Sequence, residues 1–598
     1  MKRHIEREMP TILGATLIDL NYTTYEGLRL SNGVSAFLGM RYAAPPLGDL
    51  RWRAPVEPAW TGATEEANTY PPICLGIDVG YPPAGQDEDC LFVNVWAPSN
   101  ATVRSKLPVW LFIQGGGYVA NTNANWDGNE VVEKSGHAIV MVHFNYRVGL
   151  WGFLASERVR ADGDLNVGLL DQRMLMKWVK THIASFGGDP DRIVIHGASA
   201  GAGSVAMHLV AYGGRNDGLF VGAIAESVFL PAQPFVSELE YQFDRVISQT
   251  NCATMAPDQQ MACLRSKDVA LLQTANHAQP FPGRSEPPVP LFYWTPCVDG
   301  DLLRDLPYRL FESGRFIRVP MLFGTASDEG SVFAANAATK QDVATFFVNN
   351  YPHLTLNDTD SILFMYPKLP PLPNHNEWFP TASQAYGEAT FICPQTNILN
   401  LIHSHYFDYP SQPRASPNTT TITQSTVPSP QQPVVASPPP PVFAYRYDVH
   451  SNYTTSLGLG VPHLFDAPAI FGPDNVRGTG PPASYRSYNA PVVPLMMGWY
   501  TSFVRALDPN TYRHRSSVSL PPSPEGADDG GGGVPIWTPW GAVDDGNSDE
   551  EEEEEGEDRC QRMVVETGGG ARLERVGVEE LERCRFWLGL GKGVMRQR

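Results

Sequence analysis

Residues Arg192 to His208 read RIVIHGASAGAGSVAMH: an apolar run, a cluster of small residues, then an alanine-rich continuation. Two motifs overlap in it. Gly201-Ala202-Gly203-Ser204-Val205-Ala206 fits the G-x-G-x-x-G/A turn that seats a pyrophosphate on a helix N-terminus. Glu226, twenty residues past Ala206, stands where that reading needs an acid for the ribose. Gly197-Ala198-Ser199-Ala200-Gly201 fits the G-x-S-x-G elbow that presents a serine between a strand and a helix. Both motifs require a strand before and a helix after, so the local pattern leaves both open.

The surroundings supply that context repeatedly. Pro108–Ile113 (PVWLFI), Ala138–Phe144 (AIVMVHF), Arg192–His196 and Val319–Gly324 (VPMLFG) are short unbroken apolar runs, as in strands buried on both faces. Between the second and third, Leu170, Met174, Trp178 and Ile183 recur at near-helical spacing until Gly187-Gly188 ends the pattern. Strands alternating with helices predict an α/β fold, a central and mostly parallel sheet with helices on both faces. Two stretches break the pattern. In residues 410–441 twenty of 32 are Pro, Ser or Thr and only Arg414 is charged, too little apolar surface to offset chain entropy. Residues 516–558 are rich in Gly, Pro and acid around the apolar VPIWTPWGAV. Only about 40 residues follow, too few for an independent core. Both are therefore expected as largely disordered insertions in a single large domain spanning residues 1–598.

Composition narrows the function. The net charge of −20 opposes a nucleic-acid-binding surface, although Asp544–Asp558 alone holds eleven acids, leaving −9 elsewhere. No apolar run reaches the ~18 residues of a membrane span. The start, MKRHIEREMPTILGATL, has no apolar segment of the kind a signal peptide carries. The eight cysteines include no C-x-x-C pair, so no metal or redox motif is supported. Sequons at Asn21, Asn100, Asn357, Asn418 and Asn452 permit glycosylation.

A serine hydroxyl attacks only if a base takes its proton, an acid orients that base, and N–H donors await the oxyanion. Gln114-Gly115-Gly116-Gly117-Tyr118 follows a buried strand and offers a donor loop without Cβ atoms in the way. Asp328 and Glu329 follow the VPMLFG strand as candidate acids. Of 14 histidines, His463 lies in a Gly/Pro-framed loop after VFAYRYDVH. The order Ser, acid, His is that of an α/β-hydrolase.

The chain resembles the type-B carboxylesterases, the cholinesterase/lipase branch of the α/β-hydrolases, and within them the fungal secreted esterases. The resemblance rests on FLGMRYAAPPLGDLRWRAP from Phe37, DEDCLFVNVWAP from Asp87, FNYRVGLWGFL from Phe144 and the run from Asn166 through HGASAGAGS. It continues in SDEGS, VPHLFDAPAIFG, LDPN and RCRFW. It implies Ser199 as nucleophile, His463 as base, Glu329 rather than Asp328 as acid, and the N–H groups of Gly116, Gly117 and Ala200 as oxyanion donors. It also implies disulfides Cys74–Cys90, Cys252–Cys263 and Cys393–Cys584, leaving Cys297 and Cys560 over, and hence an extracellular protein despite the missing leader. Where the family usually has Glu before the serine, this chain has Ala198, and the Cys74–Cys90 loop has 15 residues and no tryptophan. The implied activity is hydrolysis of small to medium carboxylic esters through an acyl-enzyme, without metal or cofactor. An acyltransferase or tailoring enzyme, a lipase, and an inactive binding protein of the same fold are the alternatives; the oligomeric state is left open.

Overall fold

The computed structural model describes residues 10–81, 83–284, 287–407, 439–476, 483–512, 534–541 and 560–596. The apolar runs become strands because each can bury alternate side chains in opposite cores. In Leu107–Ile113, Val109, Leu111 and Ile113 enter one core, while Trp110 and Phe112 enter the other.

One sheet of thirteen strands gathers them. In chain order, twelve are β1 (Ile12–Asp19), β2 (Thr24–Leu30), β3 (Val34–Arg41), β4 (Phe92–Pro98), β5 (Leu107–Ile113) and β6 (Val140–Phe144). The rest are β7 (Gly188–Ala198), β8 (Gly222–Glu226), β9 (Met321–Ala326), β10 (Val442–Asp448), β11 (Gln561–Glu566) and β12 (Ala571–Arg575). A short strand, Thr64–Glu66, pairs beside β2. The spatial order is β1-β2-β3-β4-β6-β5-β7-β8-β9-β10-β11-β12. From β6 to β11 every pairing is parallel, and both ends of the sheet are antiparallel.

Helices α1 (Val167–His182) and α2 (Ala200–Gly214) bury their apolar residues in the first core. Within α1 the buried stripe is Leu169, Leu175, Met176, Trp178 and Val179, while Leu170 and Met174 flank it half-buried. Helices α3 (Cys393–Phe407) and α5 (Val578–Leu590) add to that side, and α4 (Val492–Ala506) covers the other. The fold is thus the α/β arrangement expected, with helices on both faces.

Most of 410–441 lies outside the described residues, as does 516–558 apart from 534–541. That apolar island packs inward. Trp537 is buried against Trp499, donates its indole N–H to Ala444 O at 3.1 Å, and Trp540 N donates to Val442 O at 2.7 Å. Disulfides join Cys74 to Cys90, Cys252 to Cys263 and Cys393 to Cys584; Cys297 and Cys560 enter none of them. No helix among the described residues is long and apolar enough to cross a membrane.

Candidate active site

Strand β7 ends at Ala198, and α2 begins at Ala200, so Ser199 carries the whole reversal of the chain. It does so at φ 56°, ψ −120°, a conformation that L-residues adopt at a cost of order 1–3 kcal/mol. The small residues around it make the turn possible. A Cβ on Gly197 would lie 2.0 Å from Gly201 O, and one on Gly201 would lie 1.9 Å from Ile113 O. One on Gly203 would lie 2.0 Å from Phe229 O. These glycines let α2 press onto the strand ends and are not arranged around a phosphate. Glu226, the ribose acid of the competing motif, is fully buried. The nucleotide reading therefore has no support here. Ser199 is 7% exposed, its N–H donates to Glu226 O at 2.8 Å, and its carbonyl accepts from Phe229 N at 3.3 Å.

Glu329, just past the end of β9, is completely buried, and both of its oxygens accept hydrogen bonds. Its Oε1 accepts from Ser227 Oγ at 2.6 Å and Ala326 N at 2.7 Å, and its Oε2 meets His463 Nδ1 at 2.5 Å. With Nδ1 holding its proton toward the carboxylate, Nε2 is the acceptor nitrogen of the ring. That atom is buried and has no hydrogen-bond partner among the described residues. The imidazole packs against Phe391 (4.4 Å between ring centres) and Phe333 (5.0 Å). Ser227 follows Glu226, so the residue receiving the Ser199 N–H is adjacent in the chain to the one holding Glu329. The structure thus joins Glu329 and His463 directly, and links Ser199 to them through Glu226 and Ser227.

Asp328, the neighbouring acid, serves the same histidine differently. Its Oδ2 accepts from Val461 N at 2.8 Å, and its own N–H donates to Val461 O at 2.9 Å. It clamps the loop two residues before His463. Burial pushes its pKa up, and the Val461 N–H opposes that shift.

The glycine loop follows β5. Gly116 and Gly117 have φ of 120° and 63°, which glycine alone adopts without strain. Gly116 O accepts from Val119 N and Ala120 N, closing the turn. Gly115 N donates to Asn123 Oδ1 at 2.9 Å, and the Gln114 amide donates to Asn121 Oδ1. The Phe292 ring lies against Gly117, where a Cβ would be 2.2 Å from it. Ser227, Asn123 and Phe292 carry no motif, and no sequence signal marks them.

Ala198 has a specific neighbour. It pairs in register with Glu226 on β8, and both face the second core. Burial pushes the Glu226 carboxyl well above its ordinary range, and the adjacent Asp466 carboxyl pushes it further. Asp466 lies three residues after His463, accepts from Tyr445 Oη at 2.6 Å, and is itself pushed up by burial. A carboxylate at position 198 would crowd this pair.

A sequence model of the carboxylesterase family matches residues 15–528. EstA of Aspergillus niger, a solved structure, is 43% identical; the match covers 98% of this chain and 99% of that one, with a TM-score of 0.84. Lipase 2 of Geotrichum candidum is 34% identical over 382 residues, 57% of this chain and 68% of that protein. Secreted lipase 1 of Botryotinia fuckeliana is 34% identical over 353 residues, 54% of this chain and 61% of that protein. The chain belongs to the carboxylesterase family of α/β-hydrolases and is a carboxylic-ester hydrolase.

Proposed function

We propose that Ser199, His463 and Glu329 hydrolyse esters through an acyl-enzyme, with the N–H groups of Gly116, Gly117 and Ala200 binding the oxyanion. The observation that carries this reading is the buried Glu329 carboxylate, held by Ser227 and Ala326 on one oxygen and bonded to His463 Nδ1 through the other, which leaves Nε2 as the proton acceptor. Ser199 Oγ attacks the carbonyl carbon as Nε2 takes its proton, and Glu329 stabilises the imidazolium. The proton then passes to the leaving alkoxide, and the alcohol departs. Water attacks the acyl-serine with the same base, and Ser199 recovers its proton as the carboxylic acid forms. The start of α2 favours negative charge beside the Ala200 N–H.

Replacing Ser199 by alanine should lower kcat on ethyl acetate by about 10⁴-fold or more, measured by pH-stat titration. A phosphonofluoridate should label wild-type Ser199 by mass spectrometry. An active Ser199→Ala enzyme would overturn the assignment. The disulfides, the secreted relative and the exposed sequons at Asn21, Asn100 and Asn452 support an extracellular, glycosylated protein.

A further inference from the structure

A cavity of about 300 Å³ opens beside the site, at the low end of the roughly 300–1,000 Å³ range of small-molecule pockets. Two of its walls belong to the site as well. Phe229 is the residue whose N–H meets Ser199 O, and Phe292 lies on Gly117 of the glycine loop. Their rings meet edge to face at 4.5 Å. Beyond them five further rings line it, those of Tyr241, Phe281, Tyr293, Tyr351 and Tyr386, interleaved with four prolines. Leu239 is the one branched aliphatic side chain in the lining among the described residues.

The rings are held in place. Phe281 stacks on Tyr293 at 5.9 Å and 18°. The Arg245 guanidinium lies 5.0 Å from the centre of the Tyr293 ring, and Gln242 Nε2 donates to Tyr293 O at 2.8 Å. The outer rim is polar, with Glu238 bound by Arg596 at 2.7 Å, and His353 beside it. A flat ring with a slightly positive edge gains edge-to-face and offset contacts in such a lining, which a saturated ring of the same size does not.

The side of the ester that enters follows from the proton path. The leaving oxygen must face His463, which is absent from the lining. Phe333 and Phe391 pack on His463 and also against the cavity walls Phe292 (5.9 Å) and Phe229 (5.6 Å), while Phe292 itself lies on Gly117. The half pointing toward Phe292 and Gly117 is therefore the acyl half. Resting on the triad reading above, we infer that this cavity selects aryl-acyl esters, those of arylacetic, arylpropanoic and arylpropenoic acids.

Two matched pairs of esters test this on the wild-type enzyme. Ethyl 3-phenylpropanoate should exceed ethyl 3-cyclohexylpropanoate in kcat/KM by about 2- to 12-fold, whereas 2-phenylethyl and 2-cyclohexylethyl acetate should differ little. Tyr293→Leu should bring the first ratio close to one, and Phe281→Leu does the same should the first variant not fold. Equal rates on the first pair, or a cyclohexyl preference, would overturn the aryl inference while ethyl acetate turnover left the triad reading intact. An aryl preference confined to the alcohol pair would overturn the acyl assignment. Failure to hydrolyse any ester, ethyl acetate included, would remove both readings.

Discussion

Ser227 occupies the position on which the geometry of Glu329 turns. It supplies one of two donors to Oε1 and leaves Oε2 to the histidine. Ser227→Ala leaves the carboxylate with Ala326 N alone on that oxygen, so the imidazole is less firmly aimed. A hydrogen bond to a charged group is worth about 1.5–3 kcal/mol, so kcat should fall roughly 10- to 100-fold with KM little changed. Steady-state kinetics on ethyl acetate read that split. Ser199 was legible in the sequence because an elbow needs small residues at fixed offsets, and Gly197 and Gly201 keep those offsets. Ser227 was not, because its role is defined by where β8 ends relative to β9, a distance that no local pattern encodes. The choice between Asp328 and Glu329 came from resemblance alone. In the structure the two acids divide the work: one holds the ring of His463 and the other the backbone before it.

At the level of elements, the apolar runs located β5, β6, β7 and β9, because parallel strands covered on both faces are largely apolar, but not β8, a short buried GAIAE that ends in a glutamate. The antiparallel margins were less visible: β1 is mostly exposed, and its sequence lacks a continuous apolar run. Residues 534–541 mark the limit of a compositional reading. Low-complexity neighbours conceal a segment whose two tryptophans fill gaps between β10, α3 and α4. Trp537→Ala should therefore cost about 3–5 kcal/mol, measured as a shift in the urea midpoint with an unchanged slope. Asp328→Ala should act on the His463 loop rather than on the core. It removes the carboxylate that holds Val461 N and leaves only the backbone bond to Val461 O, so a drop in kcat with nearly unchanged thermal stability is the expected outcome.

The whole molecule buries histidines that must stay neutral. His143 on β6 is pushed down to about 4 and His196 on β7 to about 3, in both cases chiefly by burial. A folded pKa below the ordinary 6.5 means that the unfolded chain takes up the proton first. The stability contributed is present above pH 6.5 and is lost as pH falls toward about 4. His143 alone should cost about 2 kcal/mol between pH 6.5 and pH 5. His143→Gln removes that slope, so comparing urea midpoints of wild type and variant at the two pH values isolates it. Glu226 and Asp466 act with the opposite sign. Their raised values favour the folded state at low pH, and that contribution is lost as pH rises through their folded pKa. The Cys393–Cys584 bond has a different reach. It ties α3 to α5 across 191 positions, and residues 408–438, 513–533 and 542–559 all fall inside the closed loop. A protease cut anywhere in those stretches therefore leaves one covalent molecule, with its amino-terminal fragment carrying Ser199 and Glu329 still tethered to the carboxy-terminal strands. Such a nicked enzyme would migrate as a single band until reduced, so a maturation cleavage there would escape non-reducing electrophoresis and show itself only as a second N-terminus or as fragments after reduction.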